Sequence, residues 1–336
     1  MVQEAKQLDR YREIVELQRA EIRKRIVGLP KFLEALFICF YAHGERKLGP
    51  HLLVEGKVGK GKTATLETFT RTISDAKFSR IQFTPDLKPL DLVRIVEQCE
   101  DRTLEFHPGP LFANLILADE INRAHEKTRA ALLEAMGERQ ITIGQTTYPL
   151  EEPFFVMATE NPIDVEGTFM LGAAQLDRFM MEIYTESLSE DEEVRIAETH
   201  QDKAPEIRAV VSKSQVLEIQ NFIRQCVRVS SDVRRDIIRL VRALRPEGGL
   251  VTPSDFYMLP EGERGYLFLE RGAKVRAFLR GRDYVTFADV ALLAFPILNH
   301  RIGFQYAHKD SLKNKAAAQL IERAIEKVVA DGARGL

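Results

Sequence analysis

The sequence predicts an α/β domain on a five-stranded parallel sheet, followed by a second domain made only of helices. Three observations carry this reading. Five short apolar runs alternate with helical patterns up to about residue 187, and charged amphipathic helices take over from there. A glycine- and lysine-rich loop stands where the first apolar run gives way to a helix. Strands that alternate with helices need right-handed crossovers, which cover both faces of a parallel sheet.

Helical spacing runs through residues 9–25 and again through 29–42. The first of these is so charged that a solvated face is its simplest reading, with partner docking as the alternative. Gly49-Pro50 then breaks the chain before the first strand, 51–55. The remaining strands are expected at 79–83, 115–118, 154–158 and 180–184, separated by helices at 62–73, 126–138 and 172–179. Two segments interrupt the rhythm. Residues 85–112 carry Pro85, Pro89, Pro108, Gly109 and Pro110, too many breakers for one simple helix. Residues 140–143 and 147–150 flank Gly144-Gln145 and predict a projecting β-hairpin. Beyond 187 helices are expected at 191–200, 214–226, 231–244, 265–280, 287–298 and 313–329. The expected division is a charged helix over 1–25, an α/β domain over 26–187 and a helical domain over 188–336.

Composition narrows the function classes. Lysine plus arginine number 48 against 50 aspartates and glutamates, a net charge of −2, so no bulk attraction to nucleic acid or anionic membrane follows. No apolar run reaches the roughly 18 residues that a membrane span needs, and the charged start does not resemble a secretory signal. A cytoplasmic protein is expected. Cys39, Cys99 and Cys226 are solitary, which argues against a disulfide framework or a zinc site.

The chemistry concentrates in Gly56-Lys57-Val58-Gly59-Lys60-Gly61-Lys62-Thr63. Gly56, Gly59 and Gly61 let the backbone curl with its amides inward, Lys62 reaches the β and γ phosphates, and the Thr63 hydroxyl can ligate magnesium. Lys60 and Ala64 complete the expected ATP-binding stretch. The apolar run 115–118 ends in Asp119-Glu120. One carboxylate can hold magnesium through water, and its neighbour, pointing the other way at a strand end, can polarise the attacking water. The strand over 154–158 leads to Asn161-Pro162, where an amide can orient that water or simply make a turn.

Further runs resemble the MoxR group of AAA+ ATPases, those with an insert in helix 2. They are Phe106-His107-Pro108-Gly109-Pro110, Asp119-Glu120-Ile121-Asn122-Arg123-Ala124, Ala131 to Met136, Ala174-Gln175-Leu176-Asp177-Arg178-Phe179 and Gly281-Arg282-Asp283-Tyr284-Val285-Thr286. The resemblance implies a P-loop AAA+ fold with a C-terminal helical lid, acting as a ring, usually hexameric. It further implies a chaperone-like role in maturing other protein complexes or inserting their cofactors, beside a partner with a von Willebrand factor A domain. It assigns Lys62 and Thr63 to Walker A, Asp119 and Glu120 to Walker B, Asn161 to sensor 1 and Arg178 to the arginine finger. Sensor 2 falls at Arg264 by counting back from Gly281, with Arg271 as competitor. Val58 and Leu171-Gly172 depart from the pattern, where proline is usual. Arg123 reads as a contact to a neighbouring subunit or as a salt bridge at a helix start, and lone His107 as structural.

Two functions follow from different classes. The first is an ATP-driven remodeller of client complexes, with ATP between the α/β domain and the lid. The alternative is a nucleic-acid motor or loader, against which stand the balanced charge and a hairpin, 142–149, without lysine or arginine.

Overall fold

The computed structural model describes residues 2–42, 48–56, 61–93, 95–97, 104–143, 145–160, 169–185, 188–201, 205–305 and 310–333. Helix α1 (Val2–Arg23) is followed by α2 (Pro30–Tyr41), β1 (His51–Glu55), α3 (Lys62–Arg71), β2 (Ile73–Ser74) and β3 (Phe78–Gln82). Next come α4 (Pro89–Val93), β4 (Ile95–Glu97), β5 (Leu104–Phe106), β6 (Leu115–Asp119), α5 (Glu126–Glu138), the pair β7 (Gln140–Ile143) and β8 (Thr146–Pro149), β9 (Phe155–Glu160), α6 (Ala173–Leu176) and β10 (Phe179–Tyr184). The rest is α7 (Glu190–Gln201), β11 (Val211–Ser212), α8 (Lys213–Cys226), α9 (Ser231–Ala243), β12 (Phe256–Met258), α10 (Arg264–Leu279), α11 (Phe287–Leu298), β13 (Gly303–Phe304) and α12 (Asp310–Ala333).

The five expected strands form one parallel sheet in the order β10-β1-β9-β6-β3. Side chains alternate across it with the period of two that a strand imposes. Leu52, Val54, Leu115, Leu117, Phe155 and Met157 join one core, whereas Leu53, Ile116, Ala118, Val156 and Ala158 join the other. The first core runs on without a break into α8, α9, α10 and α11. Gly272 helps close this core: a Cβ there would lie 3.0 Å from the Met180 methyl of β10 and 3.1 Å from Leu293, so α10 packs closely on α11, which lies on β10.

Three departures from the sequence reading have physical causes. The segment 85–112 holds a short antiparallel pair, β4 with β5, and two further pairs, β2 with β11 and β12 with β13, tie distant parts together. Strands of two or three residues are too short to carry a periodic signal. The helix expected at 172–179 shrinks to α6, because Phe179 already pairs with His51 in the sheet. Helix α1 is not merely a solvated face. Val15, Gln18 and Ile22 are fully buried, Gln18 donates to Thr72 at 2.8 Å and accepts from Tyr41 at 2.8 Å, and Tyr11 stacks edge-on against Phe222. Burying each such aliphatic side chain contributes about 1.5–3 kcal/mol. Its charge marks only the outward face, so α1 joins α2 and α3 to α8 and α10.

Local signals also explain the helical half. Ser212 and Gln215 form a capping box on α8, and Ser230 caps α9. Arg282 grips Asp289 through two hydrogen bonds, 2.7 and 2.9 Å, while Asp289 also accepts from Thr286 at the start of α11. The run 281–286 is thus a brace between α10 and α11. Cys39 is buried with its thiol pushed up by desolvation, Cys226 is half-buried, and neither is in a disulfide; Cys99 lies outside the described residues.

Candidate active site

The glycine-lysine loop joins β1 to α3, a buried strand to a helix N-terminus. Gly56 has φ 154° and donates its amide to the Glu160 carbonyl at 3.2 Å. A Cβ there would collide with the Thr185 side chain, so only glycine fits. Gly61, left-handed at φ 74°, precedes Lys62 and Thr63, which open α3. No side chain caps that helix and no acid occupies its first turn, so its amides and dipole present a positive end suited to phosphate. Lys57, Val58, Gly59 and Lys60 lie outside the described residues. Lys62 is buried, and its Nζ donates to the Gly56 carbonyl at 2.7 Å. Burial lowers the pKa of its ammonium, and the nearby charges of Asp119 and Glu120 push it back up. Thr63 and Ala64 are half-buried beside it.

The carboxylate pair sits at the same end of the sheet. Asp119 closes β6; its Oδ1 accepts from the Thr159 hydroxyl at 2.6 Å and its Oδ2 from Arg80 at 2.7 and 3.2 Å. Strand alternation does not describe its neighbour. Glu120 takes φ 55°, ψ 50°, a left-handed backbone that is strained for this residue type and typical of functional sites. Its amide donates to Thr159 at 2.9 Å, and its Oε2 accepts from Gln82 at 2.9 Å and Arg123 at 2.9 Å. Arg123 is therefore a salt-bridge partner of Glu120, the second of the two readings its sequence position allowed. Asn161 lies outside the described residues, just after Glu160 ends β9. Three side chains escaped sequence reading: Thr159, Arg80 and Gln82. Period two along β3 puts Arg80 and Gln82 on one side, and Gln82 pairs in register with Asp119, a signal that needs the strand order first.

Thr63 and Asp119 offer the hard oxygen donors that suit magnesium, which takes one or two protein ligands and completes its shell with phosphate and water. The residues present fit such an ion.

The arginines lie elsewhere. Phe179 pairs with His51 at the start of β1, whereas Gly56 follows its end, so Arg178 stands about 16 Å along the strand direction from its own loop. Its guanidinium donates to the Leu133 carbonyl of α5 at 2.5 Å. Arg264, at the start of α10, ion-pairs with Asp177 at 2.8 Å. The structure thus brings Arg178 and Arg264 together through Asp177 and separates both from Lys62. A nucleotide held between the α/β domain and the helical half of a single chain would not meet Arg264. Arg271 donates to the Leu48 carbonyl, also before β1. Arg301, missed by sequence reading, is buried and holds Asp177 as well. Burial pulls its guanidinium down to about 10, with Asp177 opposing, so it stays charged at neutral pH.

His51 is a second buried group at this end. The Val156 amide donates to Nδ1 at 3.1 Å, so Nε2 carries the proton and donates to the Met136 carbonyl at 3.1 Å. Burial drives its pKa down to about 3, and the neutral ring ties β1, β9 and α5 together. His107 is exposed.

Comparison with known proteins bears on the family and the fold. The family model described as ATPase family associated with various cellular activities (AAA) matches residues 51–181, and that of the AAA lid domain matches 260–323. Chaperone MoxR1 of Mycobacterium tuberculosis is 35% identical over 329 residues, covering 95% of this chain and 83% of the relative. Protein MoxR of Methylorubrum extorquens is 29% identical, with 84% and 85% covered. The crystal structure of a Cytophaga hutchinsonii protein assigned as an ATPase superposes with a TM-score of 0.84 at 37% identity, covering 96% of both chains.

Proposed function

The chain belongs to the MoxR family of AAA+ ATPases, and from that premise we propose that it hydrolyses ATP at sites shared between neighbouring copies. The turnover drives chaperone-like remodelling, maturation or cofactor insertion in partner complexes. One observation supports the shared site above all: the phosphate loop and carboxylates occupy one end of the sheet, and Arg178 and Arg264 the other. A ring that sets one end against the next copy's opposite end makes each site whole.

In this reading Gly56, Gly59, Lys60, Gly61, Lys62, Thr63 and Ala64 hold the nucleotide. Glu120 polarises the attacking water, with Gln82 and Arg123 orienting its carboxylate. Asn161 orients that water. Arg178 and Arg264 reach the neighbouring copy's phosphates, where guanidinium charge stabilises the transition state. Magnesium at Thr63 and Asp119 supplies charge neutralisation on the phosphates. Thr159 and Arg80 fix the Asp119 carboxylate for that purpose.

The same reading divides the chain into a helix over 1–25, an ATPase domain over 26–187 and a lid over 188–336. It makes the working unit a hexamer in the cytoplasm, beside a von Willebrand factor A protein. Among the described residues no helix is long and apolar enough to cross a membrane. Purified protein should turn over ATP, and Lys62→Ala and Glu120→Gln should abolish turnover; equal rates in all three would show the site assignment wrong.

A further inference from the structure

Both residues that flank Arg178 are held by one buried side chain. Arg301 donates from Nε to the Asp177 carboxylate at 3.0 Å and from Nη2 to the carbonyls of Asp177 at 3.1 Å and Phe179 at 2.8 Å. Its own place is over-determined: Nη1 donates to the Ile297 carbonyl, and the guanidinium lies over the Phe268 ring at 5.3 Å. His300 adds a contact to the Phe179 carbonyl at 3.1 Å. The backbone on either side of Arg178 is therefore fixed to the helical half, while the Arg178 side chain rests on α5.

We propose that Arg301 is the positioning residue for Arg178: it holds the 177–179 segment so that the Arg178 guanidinium is delivered to the neighbouring copy's phosphates. The inference rests on the shared-site reading above. Asp177 has two cationic partners of different kinds, Arg264 with its side chain 31% exposed and Arg301 at 3%. The exposed one can leave to meet a phosphate. The buried one stays and keeps the carboxylate compensated, because an ion pair stripped of one partner leaves a buried charge uncovered. Only a planar guanidinium spans a carboxylate and two carbonyls at once; a lysine ammonium carries the charge without the fork.

Arg301→Lys and Asp177→Asn test this, the second removing the negative charge from the half-exposed side should the first fail to fold. Both are expected to lose roughly a hundred-fold in kcat, the effect of about an ångström of misplacement, with nucleotide Kd within about three-fold of the parent. Each is then co-expressed with Lys62→Ala, whose own site is dead but whose Arg178 is intact. Mixed rings should regain roughly a quarter of parental turnover, since about half the sites bind ATP and about half of those face a sound arginine. A buried ion pair needed only for folding gives no such rescue. Co-expression of Arg178→Ala with Lys62→Ala is the control. If that pair complements and neither Arg301→Lys nor Asp177→Asn does, the positioning role is overturned while the shared site stands. Full kcat in Arg301→Lys overturns it too. If the control pair fails, the shared site falls and the proposal with it.

Discussion

The two ends of the central sheet are built on opposite plans. At the carboxyl end Glu120 takes a strained φ of 55°, Gly56 turns at φ 154° as only glycine can beside Thr185, and acids gather around a lysine and a helix N-terminus. At the amino end Asp75 and Arg139 are also left-handed, at φ 59° and 50°, but the charged groups differ: three arginines and His51 are satisfied by carbonyls and by Asp177. The difference teaches that one end is shaped to receive an anion, whereas the other is shaped to hold cations at fixed places. A helix N-terminus without a side-chain cap suits a receptor, which must present bare amides; saturation suits a donor, which must hold its charge still.

The comparison can be broken by exchange of function between the ends. The largest expected effect is on Arg178→Ala, which should cut ATP turnover by about three to five powers of ten and leave nucleotide binding to isolated subunits intact. Steady-state hydrolysis and equilibrium binding check this; a matching loss of affinity would place Arg178 in its own copy's site instead. Glu120→Gln should cost about two to four powers of ten in kcat while trapping bound ATP, as expected of a general base, and nucleotide content after purification reports it.

A smaller effect separates the ends by pH. His51 has a pKa of about 3 when folded against 6.5 when free, so the unfolded chain binds the extra proton first. Its contribution is fully present above pH 6.5 and falls as pH drops toward 3, about 2 kcal/mol having gone by pH 5. Denaturant midpoints against pH measure it, and His51→Gln should flatten the slope in that range. The smallest change expected is that of Thr159→Val, which removes the hydroxyl's contacts to the Asp119 carboxylate at 2.6 Å and the Glu120 amide at 2.9 Å and should slow turnover about ten-fold, or roughly 1.4 kcal/mol. Unchanged turnover would mean that Arg80 alone fixes Asp119.

Much of the carboxyl end was legible in the sequence because its chemistry is local. Lys62, Thr63, Asp119 and Glu120 announce themselves by following an apolar strand, and period two sorts the strand residues into their cores. The amino end was legible only in part. Arg178 and Arg264 came from resemblance, not from spacing, and Arg301 stands 123 residues beyond Arg178, inside a run with no pattern of its own. What joins them is Asp177, and only tertiary structure shows a carboxylate shared between 264 and 301. Helix α1 misled for a related reason: charge density describes a helix's outer face, whereas Val15, Gln18 and Ile22 recur at a spacing that buries the inner one.

Gly272, where α10, α11 and Met180 of β10 meet, has a mechanical consequence. A sheet and a helical bundle that share one continuous core cannot hinge against each other without opening a cavity. In the proposed ring the subunit would accordingly be a stiff link, and a stroke driven by hydrolysis would appear as rotation at the joints between links. Compliance in such a chain belongs to its interfaces, so softening the packing at position 272 would dissipate work inside the subunit before it reached the next one.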